Sequence, residues 1–186
     1  MIHIIGPNDK VSEDVCVINT TSRAISWSKN LSPFFCGPVD LYDGYTSLNV
    51  ENAWQFSKCY EYYLDNGEVG ERYFNWAKDG WCNKRAYRYP MGKEATPLYS
   101  YWDGEKLTYV EARKKIYIPL YSQAVQKTYA FEKLKKMHEA GQDLTLWDFD
   151  GYDHRAFGMD YDQVINDPTK KMGHAFVIAM LLEGHL

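Results

Sequence analysis

Glu51, Gln55 and Lys58 stand at positions i, i+4 and i+7, so on a helix they line one stripe. Trp54 borders that stripe one residue round from Gln55. A carboxylate, an amide, an amine and an aromatic plane together can hold a sugar or nucleotide and move a proton. The same spacing also fits a solvent-facing helix side whose Glu and Lys serve solubility. The stripe needs a helix that starts at Val50, and Asn49 is placed to cap it.

The elements around that helix follow from local pattern. Residues 2–5 and 15–19 are short and β-branched and predict strands. Residues 37–42 predict a third, ended by the Asp43-Gly44 turn. Helices are predicted over 50–64, 68–79, 107–127, 129–140 and 171–183. Pro119 should kink or divide the third, and Gly141 is placed to close the fourth. Leu144 to Trp147 reads as a short strand leading into the acidic turn Asp148 to Asp153. The expectation is α+β: one helix-rich domain over residues 1–186 with a small β-sheet.

Composition narrows the function classes. The formal net charge of −4 argues against a nonspecific nucleic-acid coat protein. It leaves room for local contact through Lys84-Arg85 with Arg88, Arg113-Lys114-Lys115, or Lys133 with Lys135-Lys136. Each of these also reads as a solvated helix face, and Arg113 to Lys115 is the one singled out for function. Sixteen Tyr and six Trp supply rings that can stack on a base or pack a half-buried core. Cys16, Cys36, Cys59 and Cys82 lack paired metal spacing, and the Met1 to Pro7 segment lacks a basic, then apolar, leader pattern. Reduced thiols and a cytoplasmic location are expected. No run reaches the ~18 apolar residues of a membrane span. Asp148, Asp150 and Asp153 fit calcium-loop spacing poorly, so no metal is expected, and Asp148 reads as a turn cap. His174, inside an apolar helix, reads as a packed, hydrogen-bonded histidine. Serine-hydrolase, P-loop and dinucleotide-fold motifs are absent from the sequence.

Order along the chain adds a resemblance. A Leu31-Ser32-Pro33-Phe34-Phe35 turn, the run Gly37 to Tyr42, the Asp43-Gly44 turn and the Val50-Glu51-Asn52…Gln55…Lys58 helix follow one another. Pro97-Leu98, Trp102 and a basic helix over 107–125 come next, then His154 to Gly158 and Lys170-Lys171-Met172-Gly173. Over residues 27–183 this resembles the NADAR family, the YbiA-like N-glycosidases. That family has a Ser-Asn-Phe turn, a helix reading Ser/Val-Glu-His…Gln…Lys, an Asp-x-x-Trp-Gly segment and an Asn-x-Leu-Gly ending. This chain departs from the pattern at Pro33, Asn52 and Phe157, which stand for the family's Asn, His and Trp.

The resemblance implies hydrolysis of an ADP-ribosyl or ribosyl-phosphate N-glycosidic bond, most specifically removal of ADP-ribose from guanine bases of DNA. It implies Glu51, Lys58 and Asp153 as catalytic groups. Asn30, Trp54, Gln55, Trp102, Asp150, His154 and Lys171 would contact substrate. The partner would be ADP-ribosylated nucleic acid or an ADP-ribose-like small molecule, with no cofactor. Hydrolysis of small phosphorylated riboflavin-pathway metabolites and non-catalytic nucleotide binding are the alternatives. A role for His154 as acid or base also stays open.

Overall fold

Short β-branched runs and amphipathic stretches alternate along the chain, so strands and helices interleave with long loops. The computed structural model describes residues 1–186 and begins with strands β1 (Ile2–Ile5) and β2 (Val17–Asn19). Strands β3 (Val39–Asp40) and β4 (Thr46–Ser47), helix α1 (Val50–Gln55), strand β5 (Lys58–Cys59) and helix α2 (Glu71–Trp81) follow. Next come β6 (Tyr99–Trp102), β7 (Glu105–Leu107), α3 (Tyr109–Ala112) and α4 (Ile118–Val125). The chain ends with α5 (Tyr129–Glu139), β8 (Leu144–Trp147), α6 (Tyr161–Asn166) and α7 (His174–Leu182). The fold class is α+β, with about 38% helix and 14% strand.

Two compact units form, one from residues 1–36 and 121–186, the other from residues 37–120. In the first, β8 lies between β1 and β2 and pairs with both in parallel, Ile2 opposite Leu144 and Asn19 opposite Trp147. Helix α7 is apolar on every side, and its residues from His174 to Met180 are all buried, as that pattern requires. Helix α5 buries Ala130, Phe131 and Leu134 and is capped by Thr128 Oγ1, which accepts from Phe131 N at 3.1 Å. Its far end closes as the sequence predicts. Gly141 has φ +77°, Gly141 N donates to His138 O and Gln142 N to Met137 O, the paired bonds of a left-handed helix stop.

The second unit holds a β3–β4 hairpin, turned through Asp43 and Gly44 (φ 50° and 75°), and the antiparallel meander β5-β6-β7. Its core is aromatic: Tyr42, Phe56, Cys59, Leu64, Tyr73, Ala77 and Trp81 pack together. Gly80 on α2 is required by close approach, since a Cβ there would overlap the Phe56 ring.

Three predicted elements are redrawn. The helix over 50–64 stops at Gln55. Ser57 Oγ donates to Trp54 O (2.8 Å), Tyr73 Oη donates to Phe56 O (2.9 Å), and β6 pairs with Lys58 and Cys59. A local hydroxyl and tertiary partners thus take the carbonyls that a longer helix would use. The helix over 107–127 loses its start to β7 and begins with a Thr108/Glu111 capping box. It then widens into a π turn over Arg113–Tyr117, where Ile118 N donates to Arg113 O. Pro119 lies just beyond that turn and has no N–H to offer the preceding one. The helix over 171–183 begins only at His174, leaving Lys171 in the loop before it. Hairpin β6–β7 and helix α6 have no counterpart in the sequence reading.

Candidate functional site

Asn49 starts the site, because its side chain accepts from Asn52 N at 2.8 Å and sets α1 in register. From that short helix Glu51 and Gln55 are both buried, each about 6% exposed. Gln55 Nε2 donates to Glu51 Oε1 at 2.9 Å, and Lys58 Nζ donates to Gln55 Oε1 at 2.8 Å. Lys58 sits on β5 rather than on the helix, yet its long side chain returns to the same line. An ammonium only donates and a carboxylate only accepts, so the amide between them is oriented without ambiguity. Lys58 Nζ also lies 5.1 Å from the centre of the Trp54 ring. A carbonyl oxygen and a π face both attract a cation, and Lys58 Nζ has one of each beside it.

Trp54 is itself wedged between rings, 5.3 Å from Tyr117 and 6.2 Å from Tyr109. Arg113, 2% exposed, places its guanidinium 4.7 Å from the Tyr109 ring. The basic run Arg113 to Lys115 therefore divides. Arg113 is buried beside the aromatic wall, Lys114 is exposed, and Lys115 pairs with Glu105 at 2.6 Å. The spacing of Tyr109 and Arg113, i and i+4, was the available sign that these two share a face. Asn52 is the other residue whose role the sequence conceals. It is wholly buried, its Nδ2 donating to Gly80 O, Asn83 O and Arg85 O at 2.9–3.1 Å while its Oδ1 accepts from Tyr87 N at 2.9 Å. Asn52 thus fixes the Gly80–Tyr87 segment to the helix that carries Glu51.

Glu51, Trp54, Gln55 and Lys58 are brought together. Trp102, in the same unit, packs edge-on against Tyr42 (4.9 Å) in the aromatic core cluster. Asn30, Asp150, Asp153, His154 and Lys171 belong to the unit of residues 1–36 and 121–186. There Asn30 is exposed and its carbonyl accepts from Cys36 Sγ, and Lys171 is exposed. Asp153 Oδ1 accepts from Arg155 N and Ala156 N, so it caps the turn at Arg155–Phe157. Asp150 N donates to Asp148 Oδ1, and Asp150 O accepts from Gly173 N. His154 is 3% exposed, stacked on Tyr161 (5.0 Å) and edge-on to Phe176. Burial, then the charge of Arg155, lowers its pKa below the usual 6.5, which keeps the ring neutral.

Asp148 and His174 close the carboxyl end of the parallel sheet. His174 Nδ1 meets Asp148 Oδ2 at 2.9 Å, and its Nε2 meets Thr20 O at 2.8 Å. Burial alone would raise the pKa of Asp148. The His174 charge and hydrogen bond, with N–H donors from Ala175 and Asp150, outweigh it and hold the carboxyl below the usual range. Gly173 must lack a side chain here, since a Cβ would overlap Asp148 Oδ2. This is a structural pair, packed and hydrogen-bonded as the sequence reading expects for His174. All four cysteines are free, no group of three His, Cys, Asp or Glu side chains converges to hold a metal ion, and no helix is long and apolar enough to cross a membrane.

A family model described as a family of unknown function, DUF6939, matches residues 8–178. The chain belongs to the DUF6939 family. The match spans both units, so every residue of the Glu51–Lys58 site lies inside the DUF6939 region. No curated protein and no solved structure matches this DUF6939 chain.

Proposed function

We propose that the protein is an N-glycosidase that hydrolyses an ADP-ribosyl or ribosyl-phosphate N-glycosidic bond, with ADP-ribose on guanine bases of DNA as the most specific substrate. The observation that carries the reading is the hydrogen-bonded line Glu51–Gln55–Lys58 with the Trp54 ring beside the ammonium. The order of motifs shared with the NADAR family supports the substrate class.

In such a reaction the bond between C1′ and the base nitrogen breaks and its electron pair leaves with the nitrogen. Positive charge builds at C1′ as it does so. Glu51 stabilises that charge and accepts a proton from the attacking water. The water oxygen bonds to C1′, and the proton that Glu51 has taken passes on to the departing nitrogen, so Glu51 is regenerated and the products are the free sugar hemiacetal and the free base. Lys58 meets the diphosphate of the substrate as an ammonium. Gln55 hydrogen-bonds both groups, donating through Nε2 to Glu51 and accepting at Oε1 from Lys58, and so fixes how each is presented. The buried position of Glu51 strengthens its field at the reacting carbon. Incubation with ADP-ribosylated DNA should release free ADP-ribose, followed by mass spectrometry, and Glu51→Gln should abolish most of the release. Binding of ADP-ribose without any release by the native protein would make it a binding protein instead.

A further inference from the structure

A groove of about 510 Å³, none of whose lining residues belongs to the Glu51 unit, opens in the unit of residues 1–36 and 121–186. Its wall is mostly apolar. Val17 on the outer strand β2, Ile25, Trp27 and Met137 on α5 line it, with the Ser26 and Ser28 hydroxyls among them. Ile25 is fully exposed and Val17 is 41% exposed, so two large aliphatic side chains stand in water at one place. Two cations share the wall, Arg23 and Lys133, and no Asp or Glu does. Both rest against rings rather than carboxylates: Arg23 lies 5.1 Å from the Phe149 ring centre, and Lys133 lies 4.5 Å from that of Trp27. In a chain of net charge −4, a wall with two cations and no acid is a local reversal of sign.

We propose that this groove binds a small organic anion, an apolar body carrying one carboxylate or phosphate head. The volume lies in the range of small-molecule sites and is too small for a folded partner. The body covers Val17, Ile25 and Met137, while Arg23 and Lys133 meet the head group. Charge complementarity chooses an anion over a neutral apolar molecule, because the cations otherwise gain nothing from the ligand. The serine hydroxyls are already engaged, Ser26 Oγ with Ser28 Oγ at 3.0 Å and Ser28 Oγ with Asn19 O at 2.6 Å. They give the head group little, so recognition rests on the two cations.

The cysteines supply a local readout, since Cys16 lines the groove and Cys82, in the other unit, does not. Both thiols are exposed. The anionic probe 8-anilinonaphthalene-1-sulfonate should slow alkylation of Cys16 by iodoacetamide about tenfold at saturation and leave Cys82 unchanged. The uncharged relative N-phenyl-1-naphthylamine should protect Cys16 far less. The double variant Arg23→Gln/Lys133→Gln, with native circular dichroism, should bind the sulfonate at least about tenfold more weakly. Unchanged Cys16 reactivity in the native protein overturns the proposal, and so does equal protection by the uncharged probe. Equal affinity in the folded double variant does the same. The native-protein arm needs no variant to fold, and none of the arms depends on the Glu51 site.

Discussion

Glu51 and Lys58 are linked through the Gln55 amide, and each has a prediction of its own. Glu51→Gln keeps the size of the side chain and removes the charge. Turnover of ADP-ribosylated DNA should fall by about 10²–10⁴-fold, the range of a general acid–base group, with unchanged circular dichroism. Near-native turnover would remove Glu51 from the chemistry. Lys58 could in principle attack an opened ribose as a neutral amine, giving a Schiff base. Its contacts with Gln55 Oε1 and the Trp54 face argue for the ammonium instead. Lys58→Arg should therefore retain a measurable fraction of activity, and borohydride added during turnover should trap no adduct on the native protein. A trapped adduct at Lys58 would reverse the assignment. His154 makes a prediction about stability. Its pKa is lowered in the fold, so the native state resists a proton that the unfolded chain accepts. Stability should be full above about pH 6.5 and decline as pH falls from there toward the folded value. His154→Phe keeps a ring against Tyr161 and Phe176, and should show a smaller loss of urea midpoint between pH 7.5 and 5.5 than the native protein. Equal losses would mean that His154 takes up its proton alike in the folded and unfolded chain, so that the fold does not lower its pKa.

Helix α1 is the element on which the site depends, and Asn52 ties it to the segment after α2. Asn52→Ala would leave the carbonyls of Gly80, Asn83 and Arg85 and the N–H of Tyr87 without this partner. A loss of about 2–4 kcal/mol in urea unfolding is expected, from more than one buried polar group left unpaired. A change under about 0.5 kcal/mol would show that water replaces the side chain without cost. The same helix shows what the sequence reveals and what it hides. The Asn49 cap and the Glu51/Gln55 spacing are local, and both are legible. The end of α1 at Gln55 is not, because it is decided by Tyr73 and the pairing of β5 with β6, partners distant in sequence, beside the local Ser57 bond. Lys58 leaves the helix and still joins Gln55, since a four-carbon stem spans the change of backbone direction. The Schellman stop at Gly141 and the strands β1 and β8 are written in short-range pattern and read correctly. Hairpin β6–β7 escapes because Tyr99-Ser100-Tyr101-Trp102 has little apolar–polar alternation, its rings being packed on both sides of the strand. The burial of Arg113 escapes for a related reason. A charged run looks solvated until the aromatic wall of Tyr109, Trp54 and Tyr117 is in place.

Charge distribution is the whole-molecule property that separates a modified-DNA substrate recognised by its ADP-ribose from one recognised by its backbone. The chain carries 21 Lys and Arg against 25 Asp and Glu, an excess of acid that repels a polyanion at long range. Several cations are committed within the fold: Lys106 to Glu68, Lys115 to Glu105, and Arg113 beneath Tyr109. If the proposed substrate is right, specificity is then expected from the ADP-ribose group itself, with only one or two phosphates of the DNA strand in contact. Each phosphate contact on a single strand contributes a slope of about 0.7 to the dependence of log affinity on log salt. Two contacts predict that kcat/KM on an ADP-ribosylated oligonucleotide falls about sevenfold between 50 and 200 mM NaCl. Six contacts would give a fall of about three hundredfold over the same range. Measured beside it, a mononucleotide carrying the same modification should lose still less, since it keeps the ADP-ribose and lacks the strand. A several-hundredfold fall for the oligonucleotide, with the mononucleotide almost unaffected, would show an extended basic surface and overturn recognition through the ADP-ribose group.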